Sequence, residues 1–280
     1  MTPARLAALT LATMIAFAAN SVLCRIALKE TGIDAASFTT IRLVSGALVL
    51  WLIATVLRRD RAGHGNWLSA FALFAYAAAF SFAYLSLTAA TGALLLFGAV
   101  QATMILYGYA QGERFGQRQL AGLALALGGL VGLLLPGLTA PPLAGSALML
   151  AAGIAWGVYS LRGRGAGDPT RVTAGNFLRA MCFAAALSLM TLPAHLDTAG
   201  IGYAVASGAI ASGMGYALWY AVLPALRTAT AATVQLSVPA IAAFGGIVFL
   251  GEPLTLRVTL ASAAILGGIA LVILNRAKAR

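Results

Sequence analysis

Apolar positions run on for some twenty residues at a time along this chain, broken by short polar joints. A helix needs about 20 mostly apolar residues to cross the roughly 30 Å hydrocarbon core of a bilayer. Ten such stretches are legible, at 5–28, 35–57, 66–87, 91–111, 118–135, 143–162, 171–193, 199–223, 228–250 and 255–275. The joints carry charge or turn signals, such as Arg58-Arg59-Asp60-Arg61, Gly112-Glu113-Arg114 and Gly251-Glu252-Pro253. The runs are too long and too rich in Ala, Leu and Gly for porin-type strands, which alternate every second residue. Helices satisfy every backbone polar group within the segment, so the pattern predicts an all-α integral membrane protein.

Composition agrees. Of 280 residues, 61% are hydrophobic and only 9% are charged, against about 25% charged in a soluble domain. So few charges could not cover a water-facing surface. The net charge of +11 is a topology signal rather than a nucleic-acid footprint. With the N-terminus inside, thirteen of the 18 basic residues fall in inner loops: Arg5, Arg58, Arg59, Arg61, Arg114, Arg118, Arg162, Arg164, Arg171, Arg227, Arg276, Lys278 and Arg280. Outer loops receive only Arg25, Lys29 and Arg257, while Arg42 and Arg179 fall within helices. Positive charge kept inside predicts that both termini are cytoplasmic; the expected location is a bacterial-type inner (plasma) membrane, crossed many times. Cys24 and Cys182 lie in apolar segments and suggest neither a disulfide framework nor a metal site. Arg5, an apolar run and Ala16-Phe17-Ala18 mimic a signal peptide. That segment has a later counterpart, which argues for a retained helix.

The chain breaks near its middle at Pro136-Gly137-Leu138-Thr139-Ala140-Pro141-Pro142, and an offset of 139 positions brings the second half onto the first without gaps. Leu87-Thr88-Ala89-Ala90-Thr91 then falls on Leu226-Arg227-Thr228-Ala229-Thr230, Gly112-Glu113 on Gly251-Glu252, and Leu127-Gly128-Gly129-Leu130 on Leu266-Gly267-Gly268-Ile269. At the nearby offset of 137, Arg42 falls on Arg179. The expected units are residues 1–137 and 138–280, each of five helices. Five is odd, so the second unit crosses in the opposite sense. Inverted repeats meeting at mid-membrane are a recurring transporter plan, and some channels share it.

These residues also carry a family resemblance. Asn20-Ser21-Val22-Leu23-Cys24-Arg25 ending helix 1, Arg42-Leu43 in helix 2, Leu87-Thr88-Ala89-Ala90-Thr91-Gly92-Ala93-Leu94 entering helix 4, the two Gly-Glu turns and the Gly-Gly pairs of helices 5 and 10 occur in an order that resembles the drug/metabolite transporter superfamily. The resemblance is to its EamA-type ten-helix exporters. Length and the aromatic residues of helices 3, 4, 6 and 8 are most similar to the YddG-type exporters of aromatic and other neutral amino acids. The resemblance implies export, and a central cavity among helices 1, 3, 4, 6, 8 and 9.

Glu30, Asp34, Asp60, Glu113, Asp168, Asp197 and Glu252 all fall in loops or at helix ends. Ion-coupled carriers keep a carboxylate inside the membrane, so facilitated diffusion, or coupling through another group, is expected. A phosphate-binding G-x-x-x-x-G-K-[ST] run is absent from the sequence. Arg42 and Arg179 would each cost on the order of 2.5–3.5 kcal/mol to insert, and snorkelling to the interface relieves part of that. Each could bond helix carbonyls or pair within the bundle, or could meet a substrate carboxylate; the duplicated position favours the structural role.

Tyr76, Phe80 and Tyr84 share one face of helix 3, and Phe97 and Gln101 share one of helix 4. Tyr216, Trp219 and Tyr220 cluster on helix 8, with Phe80 mapping to Trp219 and Phe17 to Trp156 at the repeat offset. Mid-membrane Trp and Tyr suit an aromatic lining with a few polar groups to orient a solute; the same rings could pack helices together or face lipid. The polar candidates are Asn20, Gln101, Gln235 and Ser237, each equally able to bond another helix. The expected substrate-binding set is therefore Asn20, Tyr76, Phe80, Phe97, Gln101, Trp156, Tyr216, Trp219, Gln235 and Ser237. Pro239 should kink helix 9, and Gly98, Gly245, Gly246, Gly267 and Gly268 should allow close helix approach. His64 and His195 fall in loops, unpaired in sequence. No catalytic group, metal or cofactor is expected. The partners expected are membrane lipid and a small-molecule substrate, without nucleic acid, for a monomer or weak homo-oligomer. The reading is a secondary transporter of amino acids by alternating access; the alternatives are a carrier of another metabolite or drug, or an intramembrane enzyme or scaffold.

Overall fold

The computed structural model describes residues 1–57, 63–112, 114, 116–135, 137, 140–163, 167–226 and 228–278. Ten helical spans among them are long and apolar enough to cross a membrane. These are α1 (Pro3–Glu30), α2 (Ala35–Leu57), α3 (Trp67–Tyr84), α4 (Ala89–Ala110), α5 (Gln117–Leu134), α6 (Leu143–Arg162) and α7 (Pro169–Met190). Then follow α8 (Thr198–Ala225), α9 (Thr228–Gln235 continued as Ser237–Leu250) and α10 (Leu256–Lys278). Side chains at the N-termini fix several starts: Thr2, Asn66, Thr88, Asp168 and Asp197 each accept a first-turn backbone N–H.

Helix pairing follows a two-fold exchange of each helix with the one five places on. α2 packs on α7 and α5 on α10, so each of these pairs maps onto itself. The α3–α6 contact corresponds to α8–α1, α4–α6 to α9–α1, and α3–α7 to α8–α2. With an odd number of helices in each half, such an exchange relates two inverted five-helix repeats. α5 and α10 meet closely because glycine faces helix there. A Cβ on Gly122 would stand 2.6 Å from the Gly268 carbonyl oxygen, and one on Gly129 would stand 2.8 Å from the Ala264 Cβ. Small residues of this kind let membrane helices approach where no hydrophobic gradient drives them together. Gly267, expected to serve the same end, faces open space.

Two spans depart from regular α-helix. In α8, Ala206–Met214 is π-helical, between α-helical Thr198–Val205 and Gly215–Val222. In α9 the helix breaks at Leu236, three residues before Pro239, rather than bending at the proline. The proline ring clashes with the carbonyl four residues back and supplies no N–H. The break falls where that clash would be, next to Gln235. The Leu236 N–H turns back to Thr233, and the Ser237 hydroxyl donates to the Val234 carbonyl at 2.6 Å. The turn 85–87 after Tyr84 lies outside helix, three residues short of the span expected for α3. Glu113, Arg227 and the Pro136, Leu138 and Thr139 of the central break lie outside the described residues, as do Arg58, Arg59, Asp60, Arg61, Arg164 and Arg280.

Candidate functional site

Between the two halves, α1, α3, α4, α6 and α8 surround a narrow space of about 330 Å³, its open mouth included, little of it wide enough to admit even water. Its walls are mainly aromatic. Trp156 of α6 stands at the middle, stacked on Tyr76 of α3 at 5.8 Å and met edge-on by Phe97 of α4 at 5.5 Å. Phe17 of α1 closes another side, 6.1 Å from Trp156 and 5.9 Å from Tyr216 of α8. Phe80 lies one helical turn beyond Tyr76, ring centroids 5.5 Å apart. Offset and edge-on ring pairs of this kind add to the energy of simple burial.

Polar groups enter at one strip. Asn20 donates from Nδ2 to the Tyr76 hydroxyl at 3.1 Å, and its Oδ1 accepts the Ser207 hydroxyl at 2.7 Å. The amide thereby joins α3, α1 and the π-helical part of α8. Ser21 and Ser212 line the space beside it. Widened π-helical turns occur often at functional sites, and here the widening presents Ala211 and Ser212 to the space while Ser207 reaches Asn20.

Of the ten residues expected from sequence, Asn20, Tyr76, Phe80, Phe97, Trp156 and Tyr216 meet at this space. Trp219 stands behind Phe17, ring centroids 6.1 Å apart. Gln101 is buried in α4 away from the lining. Gln235 and Ser237 flank the α9 break, Ser237 exposed. Tyr84 packs on Phe80 at 4.8 Å, and Tyr220 hydrogen-bonds Thr173 at 3.1 Å. Among the described residues none of α9 lines the space, although the resemblance implied that it would. Phe17, Ser21, Leu96, Ala211 and Ser212 were not anticipated. For Phe17 the signal was available in its correspondence to Trp156.

Arg25, expected in an outer loop, sorts differently. Arg25 lies inside α1, and its Nε pairs with Glu252 Oε1 at 2.9 Å while Nη1 donates to the Tyr84 carbonyl at 2.8 Å. The other Glu252 oxygen accepts the Ala89 N–H, at the start of α4, at 2.7 Å. Glu252 reaches that position because Gly251 ends α9 in the left-handed region (φ 59°), which turns the next residue back across the helix end. One buried carboxylate thus ties α1, α4 and the α9–α10 turn together. Arg179 bonds the His64 and Gly175 carbonyls at 2.6 and 2.9 Å. Arg42 is 2% exposed, its guanidinium over the Phe80 and Tyr76 rings at 4.8 and 5.2 Å.

The arrangement has known relatives. A protein of Pseudomonas aeruginosa, the uncharacterized protein PA1977, is 57% identical over 273 residues, 96% of this chain and 94% of its own length. The threonine/homoserine exporter RhtA of Escherichia coli is 36% identical over 129 residues, a stretch that spans 44% of this chain and 43% of RhtA. A crystal structure at 21% sequence identity superposes with a TM-score of 0.63, over 94% of this chain and 98% of that one, and so shares the fold. Residues 5–135 and 143–274 each match the EamA-like transporter family. With both halves of its ten-helix bundle matching one unit, the chain belongs to the EamA-like transporter family and is a multi-pass membrane transporter, not an enzyme.

Proposed function

We propose that the protein exports amino acids, aromatic and other neutral ones, and related small metabolites by alternating access in the inner membrane, both termini cytoplasmic. The observation that carries this reading is the space between the inverted halves: six aromatic rings and one strip of Asn20, Ser21 and Ser212. Rings accept an apolar side chain, and a few fixed polar groups orient the rest of the solute. The partial match to a threonine/homoserine exporter supports amino acids as cargo and leaves side-chain size to experiment. The units are residues 1–137 and 138–280, which move against each other. In the present conformation the space is too narrow for an amino acid, so entry requires the halves to part. Even-numbered crossings return the chain to its starting side, and the excess of basic residues in the loops on that side supports its being the cytoplasmic one.

The test is flux in proteoliposomes of purified full-length protein with labelled phenylalanine, tyrosine, threonine and homoserine, with and without a pH gradient. Saturable, mutually competing flux of at least one is expected. Absence of flux across the panel would overturn the reading, and poorly saturating flux would indicate a channel. Reporters fused to each terminus test the orientation; an external C-terminus contradicts it.

A further inference from the structure

We infer that Arg42 is the anion-recognising group of the central space, and that solutes are held there through a carboxylate. The inference deepens the proposed function and rests on it. Arg42 lies seven residues into α2, about 10 Å along the helix axis from Ala35. Snorkelling from that depth would leave the side chain partly exposed, yet the residue is 2% exposed. Its charge is turned inward, over the rings of Tyr76 and Phe80, which line the space while Arg42 itself does not, so a solute reaches the guanidinium only when those rings shift.

The hydrogen bonds separate Arg42 from its counterparts. Arg25 has Glu252 and a carbonyl, Arg162 has Ser69 and Asn66, and Arg179 has two carbonyls. Arg42 Nε and Nη1 are buried and have no protein acceptor. Ring faces attract the charge but do not satisfy the N–H donors, and an unsatisfied buried donor is costly. A guanidinium held in this way is ready for an oxyanion, which supplies acceptors and opposite charge together. Nothing anionic among the described residues lines the space, so the counter-charge must come with the solute. Arg179 sits at the related position in α7, but it is spent on the backbone. The anion site is therefore single, and a solute binds in one orientation, carboxylate towards α2.

The test separates the two charged ends of an amino acid. Labelled phenylalanine or threonine, whichever the wild-type protein carries in proteoliposomes, is competed by 3-phenylpropionate (carboxylate alone) and by phenethylamine (ammonium alone). The wild type should favour 3-phenylpropionate by about tenfold or more, the scale of one charge-assisted hydrogen bond. In Arg42→Gln that preference should collapse, and in Arg42→Lys, which keeps the charge, it should partly survive. Equal competition by the two compounds in the wild type overturns the inference and needs no variant to fold. So does an Arg42→Gln protein that elutes as folded and keeps the preference. If the wild type moves neither tracer, the proposed function fails instead. Quenching of its tryptophan fluorescence by 3-phenylpropionate against phenethylamine then decides the role of Arg42, equal quenching refuting it.

Discussion

Glu252→Gln should loosen the end of the bundle held by Arg25. Glu252 is 8% exposed and makes two directed contacts, Arg25 Nε at 2.9 Å and the Ala89 N–H at 2.7 Å. Removing one partner of a buried pair costs about 3–5 kcal/mol when the other charge is stranded. Arg25 retains the Tyr84 carbonyl at 2.8 Å and has a side chain 11% exposed, so about 2–3 kcal/mol is the expected loss. That loss falls on a contact joining α1, α4 and the α9–α10 turn, so it should appear as local opening. A shift of this size raises the open population by about 30- to 150-fold. The protein carries its own reporter: Cys24, beside Arg25 in α1, is fully buried, whereas Cys182 is exposed. In a Cys182→Ser background, the rate of Cys24 labelling by a small maleimide should rise by that factor in Glu252→Gln. Labelling within about twofold of the background, in protein that remains folded by elution and melting, would falsify the reading that this carboxylate holds α1, α4 and the α9–α10 turn together.

Trp156→Ala removes a ring stacked on Tyr76 and touched by Phe17 and Phe97; at about 0.5–1.5 kcal/mol per ring pair, competition by phenylalanine should weaken about tenfold or more, and unchanged competition in folded protein removes Trp156 from the binding surface. Gly208→Ala would drive a methyl into the Arg42 carbonyl and the Ser45 hydroxyl, so it should lower thermal stability by about 1–3 kcal/mol, while Gly128→Ala, with nothing within 4 Å, should be neutral or slightly stabilising; equal melting of the two variants contradicts the packing argument. Burial pushes the Asp34 carboxyl up, but hydrogen bonds from the Ser37 N–H and hydroxyl and the His195 and Ala36 N–H groups outweigh it and hold it below the ordinary value. A depressed value means stability present above the unfolded pKa of about 3.9 and lost as pH falls through the folded one. Melting of Asp34→Asn should therefore lie below wild type at neutral pH, with the gap closing in acid; a gap that widens in acid refutes the sign.

Much of this protein was legible as a string. Twenty-residue apolar runs can do little other than cross a membrane as helices, and the recurrence of Gly-Glu and Leu-Gly-Gly at one offset disclosed the repeat. The common face of Tyr76 and Phe80 followed from helical spacing alone. Sequence could not say which face of each helix meets its neighbours and which meets lipid, because both surroundings are apolar and no polar stripe marks the difference. For that reason Trp219 and Gln101 were expected in the lining, where Phe17 and Ser212 stand instead. Arg42 and Arg179 look alike in sequence, but only the packing of α3 and of the segment at His64 leaves one over bare rings and supplies the other with carbonyls. The Arg25–Glu252 contact joins residues 227 positions apart, and the π-helical turn of α8 packs against α1 and α2, far away in sequence. Local propensity and composition decide that helices form and span. The placement of charge and cavity is decided by distant helices meeting, which no local window of sequence contains.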